Sequence, residues 1–288
     1  MRFRRKAPAA GVLAVFILLS LSIFFVHRSK RQCALPVLMY HHFAETSGEC
    51  TVVSTKRFRE QMTALKNAGY QTVTICQILD YVDNGTPLPK KPVLITMDDG
   101  YTSNLTDAAP ILEELGMCAT VFVIGVNEGE NLYVHSGEPL LPPRFSYEEA
   151  APWVESGVLD LQSHTYDMHQ LFSYGYSGRD GILPLEGETE DAWRGALQND
   201  IRLFRQRREG RVATDLLAMA YPFGYYNQEA DALLAEEGIR LTFTTEERAN
   251  LLRIGQPDCL RLMGRLNVVE EYSGEALAGM LASYSRQN

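Results

Sequence analysis

Three clusters of reactive side chains stand out in this 288-residue sequence. Asp98 and Asp99 are adjacent carboxylates after the apolar run Val93-Leu94-Ile95-Thr96-Met97, with Gly100 and Tyr101 behind them. As a bare motif this is a turn, because Asp and Gly favour turns. Two like charges side by side nevertheless repel unless something positive lies between or beside them, and a metal ion does this well. His164 and His169 lie in Gln162-Ser163-His164-Thr165-Tyr166-Asp167-Met168-His169, after the strand candidate 159–163. On an ideal helix, residues five apart point about 140° away from each other. Shared ligation therefore needs a loop. The third cluster is Ala220-Tyr221-Pro222-Phe223-Gly224-Tyr225-Tyr226-Asn227. It reads either as a plain Pro-Gly turn or as a rigid pocket wall offering a backbone N–H to an oxyanion. Tyr225 and Tyr226 are either sugar-stacking rings or ordinary turn aromatics.

One carboxylate with two histidines makes a three-ligand set with an open position. That set suits catalytic Zn²⁺, or Fe²⁺ in oxygenases. The spare carboxylate favours hydrolysis, because it can take a proton from water activated by the cation.

Elements that would position these residues are readable around them. Short aliphatic and β-branched runs at 37–40, 93–97, 119–124, 159–163, 216–221 and 241–244 predict strands. Helical patterns follow Ser54, a fair N-cap, and recur near 75–82, 108–115, 147–154, 191–207 and 227–237. Gly116 and Gly238 stand where C′ glycines end helices. Near-continuous apolar strands alternating with helices argue for a parallel sheet covered by helices, and the length suits one barrel-like domain. All three clusters then sit at C-terminal strand ends, which converge on one face of such a barrel. Segments 125–150 and 171–190 are rich in Gly, Pro, Ser and Glu and read as long surface loops.

Composition is that of a globular chain, 45% hydrophobic and 22% charged. Net charge is -9, but residues 1–31 carry seven basic side chains and no acid. The remainder has 20 basic and 36 acidic side chains, a net -16, which argues against nucleic acid as a partner. Five cysteines without a CxxC pair give neither a thiolate zinc cluster nor a disulfide framework. Cys76 and Cys118 read as buried thiols, and a Cys33–Cys50 bridge is left open.

Residues 7–26 form an uncharged apolar run long enough to cross a bilayer of about 30 Å. Arg2, Arg4, Arg5 and Lys6 precede it, which puts the short tail 1–6 in the cytoplasm and the large domain outside. The alternative is a cleaved signal peptide, although no clear A-x-A site follows. The expected organisation is tail 1–6, membrane anchor 7–26, linker 27–34 and catalytic domain 35–288, with the anchor as membrane partner.

With these residues on the page, the chain resembles the polysaccharide deacetylases, the NodB-homology domain of carbohydrate esterase family 4, over about residues 34–285. VLITMDDGY resembles that family's TFDDGY motif. SHTYDMH resembles its histidine motif in the longer-spaced form of poly-N-acetylglucosamine deacetylases, and PVLMYHHF and AYPFG resemble that subgroup too. The resemblance implies a distorted (β/α)-barrel and a divalent cation, Zn²⁺ or alternatively Co²⁺ or another ion, held by Asp99, His164 and His169. It implies Asp98 as general base and the Phe223 N–H as oxyanion donor. Tyr221, Pro222, Tyr225, His41 and His42 are candidates for substrate contact. The implied substrate is an acetylated envelope glycan, losing its N-acetyl groups outside the cytoplasm. Two departures stand out. Ala220 occupies the place where the family often has an Arg orienting the base, and no histidine follows His169 to act as general acid. Arg265 is a candidate for the missing charge, and Asp98, His41 or His42 for the acid. The alternatives are an O-acetyl esterase or small-amide hydrolase on the same fold, or a carbohydrate-binding relative with little activity.

Overall fold

The computed structural model describes residues 32–46 and 51–284. The run 7–26 and Cys50 lie outside the described residues. Among the described residues, no helix is long and apolar enough to cross a membrane.

The strands are β1 (Gln32–Leu35), β2 (Val37–Tyr40), β3 (His42–Ala44), β4 (Val52–Ser54), β5 (Gln71–Thr72), β6 (Pro92–Asp99), β7 (Ala119–Val123), β8 (Leu159–Ser163), β9 (Ala218–Ala220), β10 (Leu241–Phe243), β11 (Asn250–Arg253) and β12 (Leu266–Asn267). The helices are α1 (Thr55–Asn67), α2 (Ile75–Asn84), α3 (Ala109–Leu115), α4 (Tyr147–Glu155), α5 (Glu190–Arg208), α6 (Gln228–Glu236) and α7 (Gly274–Tyr284).

The main sheet runs β10-β9-β8-β7-β6-β2-β12, with β5 also paired to β6, and every pairing is parallel. The last segment touches both ends of it. Met263 bridges Phe243 of β10, and three residues later β12 pairs with β2. The sheet therefore curls into a half-barrel whose gap this segment spans. That meets the expected distorted barrel in its essentials.

Parallel strands covered on both faces must be apolar throughout, and all eight residues of β6 are buried. Its alternation sorts them. Val93, Ile95 and Met97 join the core under α1, α3, α4 and α7, while Leu94 joins Phe122, Ala220, Phe243 and α2. Thr96 and Asp98 share the parity of Leu94. The strand thus delivers Asp98 to the inner face, behind Leu94 and Thr96.

Local signals start the helices. Ser54 accepts the Arg57 N–H, and reciprocal capping boxes join Thr74 to Gln77 and Ser146 to Glu149. Gly116 adopts the left-handed conformation that ends α3. Cys76 corrects the expectation of a buried thiol: it lies on the solvent side of α2 and is exposed. Its neighbours Ile75, Ile78 and Leu79 take the buried face instead.

Candidate active site

Strand β6 ends abruptly at the pair of acids. Asp99 and Gly100 both take left-handed backbone, with φ of 73° and 70°. Asp tolerates this region better than most residues. A side chain on Gly100 would also press on Val123, whose Cγ1 lies 3.3 Å from the ideal Cβ position. The turn brings the Asp99 carboxylate under two imidazoles. Asp99 Oδ1 lies 3.3 Å from His169 Nε2 and 3.5 Å from His164 Nε2. One ligand atom from each of the three residues falls within 4.8 Å of the others.

The two histidines meet because residues 164–169 form a loop, as their spacing required. The loop is pinned on two sides. His164 N–H, Gly125 N–H and Val126 N–H extend the β7–β8 pairing through Val123, Thr165 and Tyr166 carbonyls. From the other side, buried Asp200 of α5 accepts the N–H groups of Tyr166 and Asp167, each at 2.8 Å. Burial is the main influence on Asp200 and pushes its carboxyl up to about 6, against the backbone donors that favour the anion. A carboxyl raised in the fold holds its proton more tightly folded than unfolded. Stability therefore falls as pH rises from about 4 to 6. Asp200→Asn removes that slope, so urea unfolding of the variant relative to wild type should improve by about 2 kcal/mol between pH 4 and pH 7. A difference that stays flat with pH would mean the carboxylate is charged throughout.

The donor set fits a divalent cation. His164 Nδ1 lies 2.8 Å from the Ala220 carbonyl. That contact fixes Nδ1 as the N–H and leaves the Nε2 lone pair facing Asp99. Burial pushes His169 down to about 4, so its ring is neutral at pH 7. Asp99 Oδ1 is buried with no hydrogen-bond partner among the described residues. A buried orphaned carboxylate oxygen facing two ring nitrogens is costly without a cation. Burial also acts to raise the Asp99 pKa. His169, His164, His41 and Arg144 outweigh it and leave the group well below the usual carboxylate range.

Asp98 stands beside this set, 2% exposed, with Oδ2 3.9 Å from His164 Nε2 and 4.0 Å from His41 Nε2. Arg265, fully buried, grips both of its oxygens at 2.6 and 2.8 Å. The same guanidinium donates to the Thr244 carbonyl and reaches Thr96 Oγ1. Burial would raise Asp98, but Arg265, then His164 and His41, hold it below its ordinary value. The positive charge expected near Ala220 is therefore supplied from just before β12.

The other expected residues divide. Phe223 turns left-handed at φ 56°, and its ring packs 4.3 Å from that of His169. The next residue must be glycine: a Cβ on Gly224 would overlap the Thr245 hydroxyl. Tyr225 is exposed, with its ring 6.4 Å from that of Phe223. Tyr221 corrects the expectation of substrate contact. It is wholly buried, stacks on Tyr226 and bonds its hydroxyl to Asp231. Pro222 is likewise buried and shapes the turn from beneath. His42 faces Ser103, with Nδ1 2.8 Å from its Oγ, and its ring is 5.1 Å from Tyr101. Arg144, unremarked in the sequence, lies over Tyr101 with Cζ 3.6 Å from the ring centroid.

Comparison with known proteins identifies the fold and the family. The chain is 28% identical over 256 residues to YxkH of Bacillus subtilis, covering 89% of this chain and 79% of that protein. It is 28% identical over 209 residues to the poly-beta-1,6-N-acetyl-D-glucosamine N-deacetylase of Escherichia coli K12. That match covers 67% of this chain but 31% of the relative, so the chain corresponds to under a third of it. Among solved structures, IcaB from Ammonifex degensii superposes with a TM-score of 0.69 at 27% identity, covering 86% of this chain and 97% of that one. A de-N-acetylase from Aggregatibacter actinomycetemcomitans shares the fold at TM-score 0.73 and 19% identity, over 86% and 99% of the two chains. Residues 85–242, more than half of the sequence and including both acids and both histidines, match the family model of the polysaccharide deacetylases, and the chain belongs to that family of amidohydrolases.

Proposed function

We propose that this chain removes N-acetyl groups from N-acetylhexosamine units of a polysaccharide, with a divalent cation held by Asp99, His164 and His169. The observation that carries the reading is Asp99 Oδ1, buried without a hydrogen bond and facing two Nε2 atoms. A cation bound there would supply Lewis-acid activation of water and of the acetamide carbonyl. Asp98, kept anionic by Arg265, takes the proton from the attacking water. Asp98 itself, or its neighbour His41 with Nε2 4.0 Å from Asp98 Oδ2, would return a proton to the leaving nitrogen. Phe223, held left-handed beside His169, would offer its N–H to the oxyanion. Arg265 answers one of the two departures behind reading the chain as a carbohydrate binder with little activity, since it tethers the base; the absence of a histidine after His169 stands. Zn²⁺ is the proposed ion, because two imidazoles and one carboxylate suit it.

The substrate proposed is a poly-N-acetylglucosamine or a wall glycan, met outside the cytoplasm by a domain anchored through residues 7–26. One experiment tests the reading. Purified protein should release acetate from N-acetylglucosamine oligomers, lose that activity to a chelator, and regain it with Zn²⁺ or Co²⁺. Intact cells should process a polymer too large to enter them. Acetate release that ignores the chelator would refute the metal role, and processing only after lysis would refute the location.

A further inference from the structure

The chemistry above uses Phe223 but none of the rings beyond it. From His169 a line of aromatic side chains leads outward. Phe223 is 4.3 Å from His169, Tyr174 is 6.3 Å from Phe223, Tyr176 is 6.4 Å from Tyr174, and Tyr133 is 5.4 Å from Tyr176, centroid to centroid. His135 stacks on Tyr176 at 5.4 Å and 22°. The usual reason for an aromatic side chain is burial. These rings are not buried: Phe223, Tyr174 and Tyr176 are 36%, 45% and 42% exposed.

The loops carrying the rings are fastened. Tyr133 N–H donates to the Glu138 carbonyl, and Leu140 N–H to that of Asn131, making a small hairpin. Phe172 N–H donates to Asp180 Oδ1, and Gly181 N–H to the Gln170 carbonyl, each at 2.8 Å. Loops fastened before binding cost little to order when a ligand arrives. Beside Tyr176 a cavity of about 300 Å³ opens, lined by His135, Asp167, Gln170, Arg179 and Asn199. His135 Nε2 lies 2.7 Å from Asp167 Oδ1 within it. Flat exposed rings beside hydrogen-bonding groups suit a ligand with apolar faces and polar edges. An uncharged sugar chain has that character, and an acidic protein of net charge -9 would repel a polyanion.

We propose that Tyr174, Tyr176 and Tyr133 form outer sugar-stacking subsites, so that the enzyme selects a glycan chain of several residues over a disaccharide. This rests on the reading of the substrate as an N-acetylated glycan. The test uses the full chain and N-acetylglucosamine oligomers of two and five units, in β-1,6 and β-1,4 linkage. Calorimetric binding to metal-free protein is measured apart from acetate release, so a failure of catalysis and a failure of the subsites are distinguishable. Wild type should bind the five-unit chain of at least one linkage on the order of tenfold more tightly than the two-unit chain, a gap expected of one or two stacked rings. Tyr174→Ala/Tyr176→Ala should lose that preference. Tyr176→Phe, which keeps the ring, should retain it. Should the double variant melt early, Tyr176→Leu keeps apolar bulk without the flat face and reads the same way. Equal binding of both lengths by wild type in both linkages, or a preference surviving loss of the rings, overturns the proposal. So does tight binding of lipid vesicles or of a protein in place of the sugars.

Discussion

Asp98→Asn is expected to lower kcat on an N-acetylated oligomer by about 10²–10⁴-fold while the bound cation is retained. The three candidate ligands, Asp99, His164 and His169, are untouched by the change, so metal analysis of the purified variant should match wild type. What disappears is the proton acceptor. An amide of the same shape fills the space but cannot take a proton from water. The variant should also be less stable, because Arg265 would face an amide oxygen and an amide N–H where it now holds two anionic oxygens. Unfolding must be followed alongside turnover, and the assay run well below the midpoint. Turnover at the wild-type level would remove Asp98 from the reaction. A parallel loss of metal would move it from base to ligand.

Much of this site is legible in the sequence because its parts are local. The run Val93–Met97 can only be a buried strand, and the two acids behind it are conspicuous for that reason. The five-residue spacing of the histidines excludes a shared helical face and so requires the loop that the structure has. Strand and helix positions follow from periodicity and caps. What the sequence hides is long-range. Asp200 acts on the histidine loop from 33 or 34 residues away, and an aspartate within a charged helix looks like any solvated one. Arg265 and Asp98 are 167 residues apart, and only the curl of the sheet brings them together. Tyr221 misleads in the opposite sense. Its position next to the Pro-Gly turn suggests a pocket, but the parity of β9 turns it into the core. The line Phe223–Tyr174–Tyr176–Tyr133 joins three loops whose sequences carry no period at all.

Removing the guanidinium is expected to have the largest effect on stability. Arg265→Met should cost about 3–5 kcal/mol, because it strands a buried carboxylate whose charge nothing else neutralises as closely. The arginine also bolts the half-barrel. It stands beside β12, donates to Thr244 just past β10, and meets Thr96 and Asp98 on β6, so it joins both ends of the sheet to its middle. The pH dependence separates these two roles. In wild type the Asp98 pKa is lowered by the fold, so its stabilising contribution is present above the unfolded pKa and is lost as pH falls through the folded one. Without Arg265, burial dominates and the pKa rises. The charged form then becomes a cost that grows as pH rises. The stability gap between wild type and Arg265→Met should therefore be narrow near pH 3 and wide at pH 7, whereas loss of the bolt alone would be felt equally at both. Adding Asp98→Asn to the variant should recover part of the cost, since no uncompensated charge remains. In kinetics, the acid limb of kcat/KM should move up by about 1–3 pH units, with activity returning as pH rises. That recovery sets it apart from Asp98→Asn, which no pH can restore. An acid limb that stays in place after the arginine is gone would show that Asp98 does not titrate in the reaction.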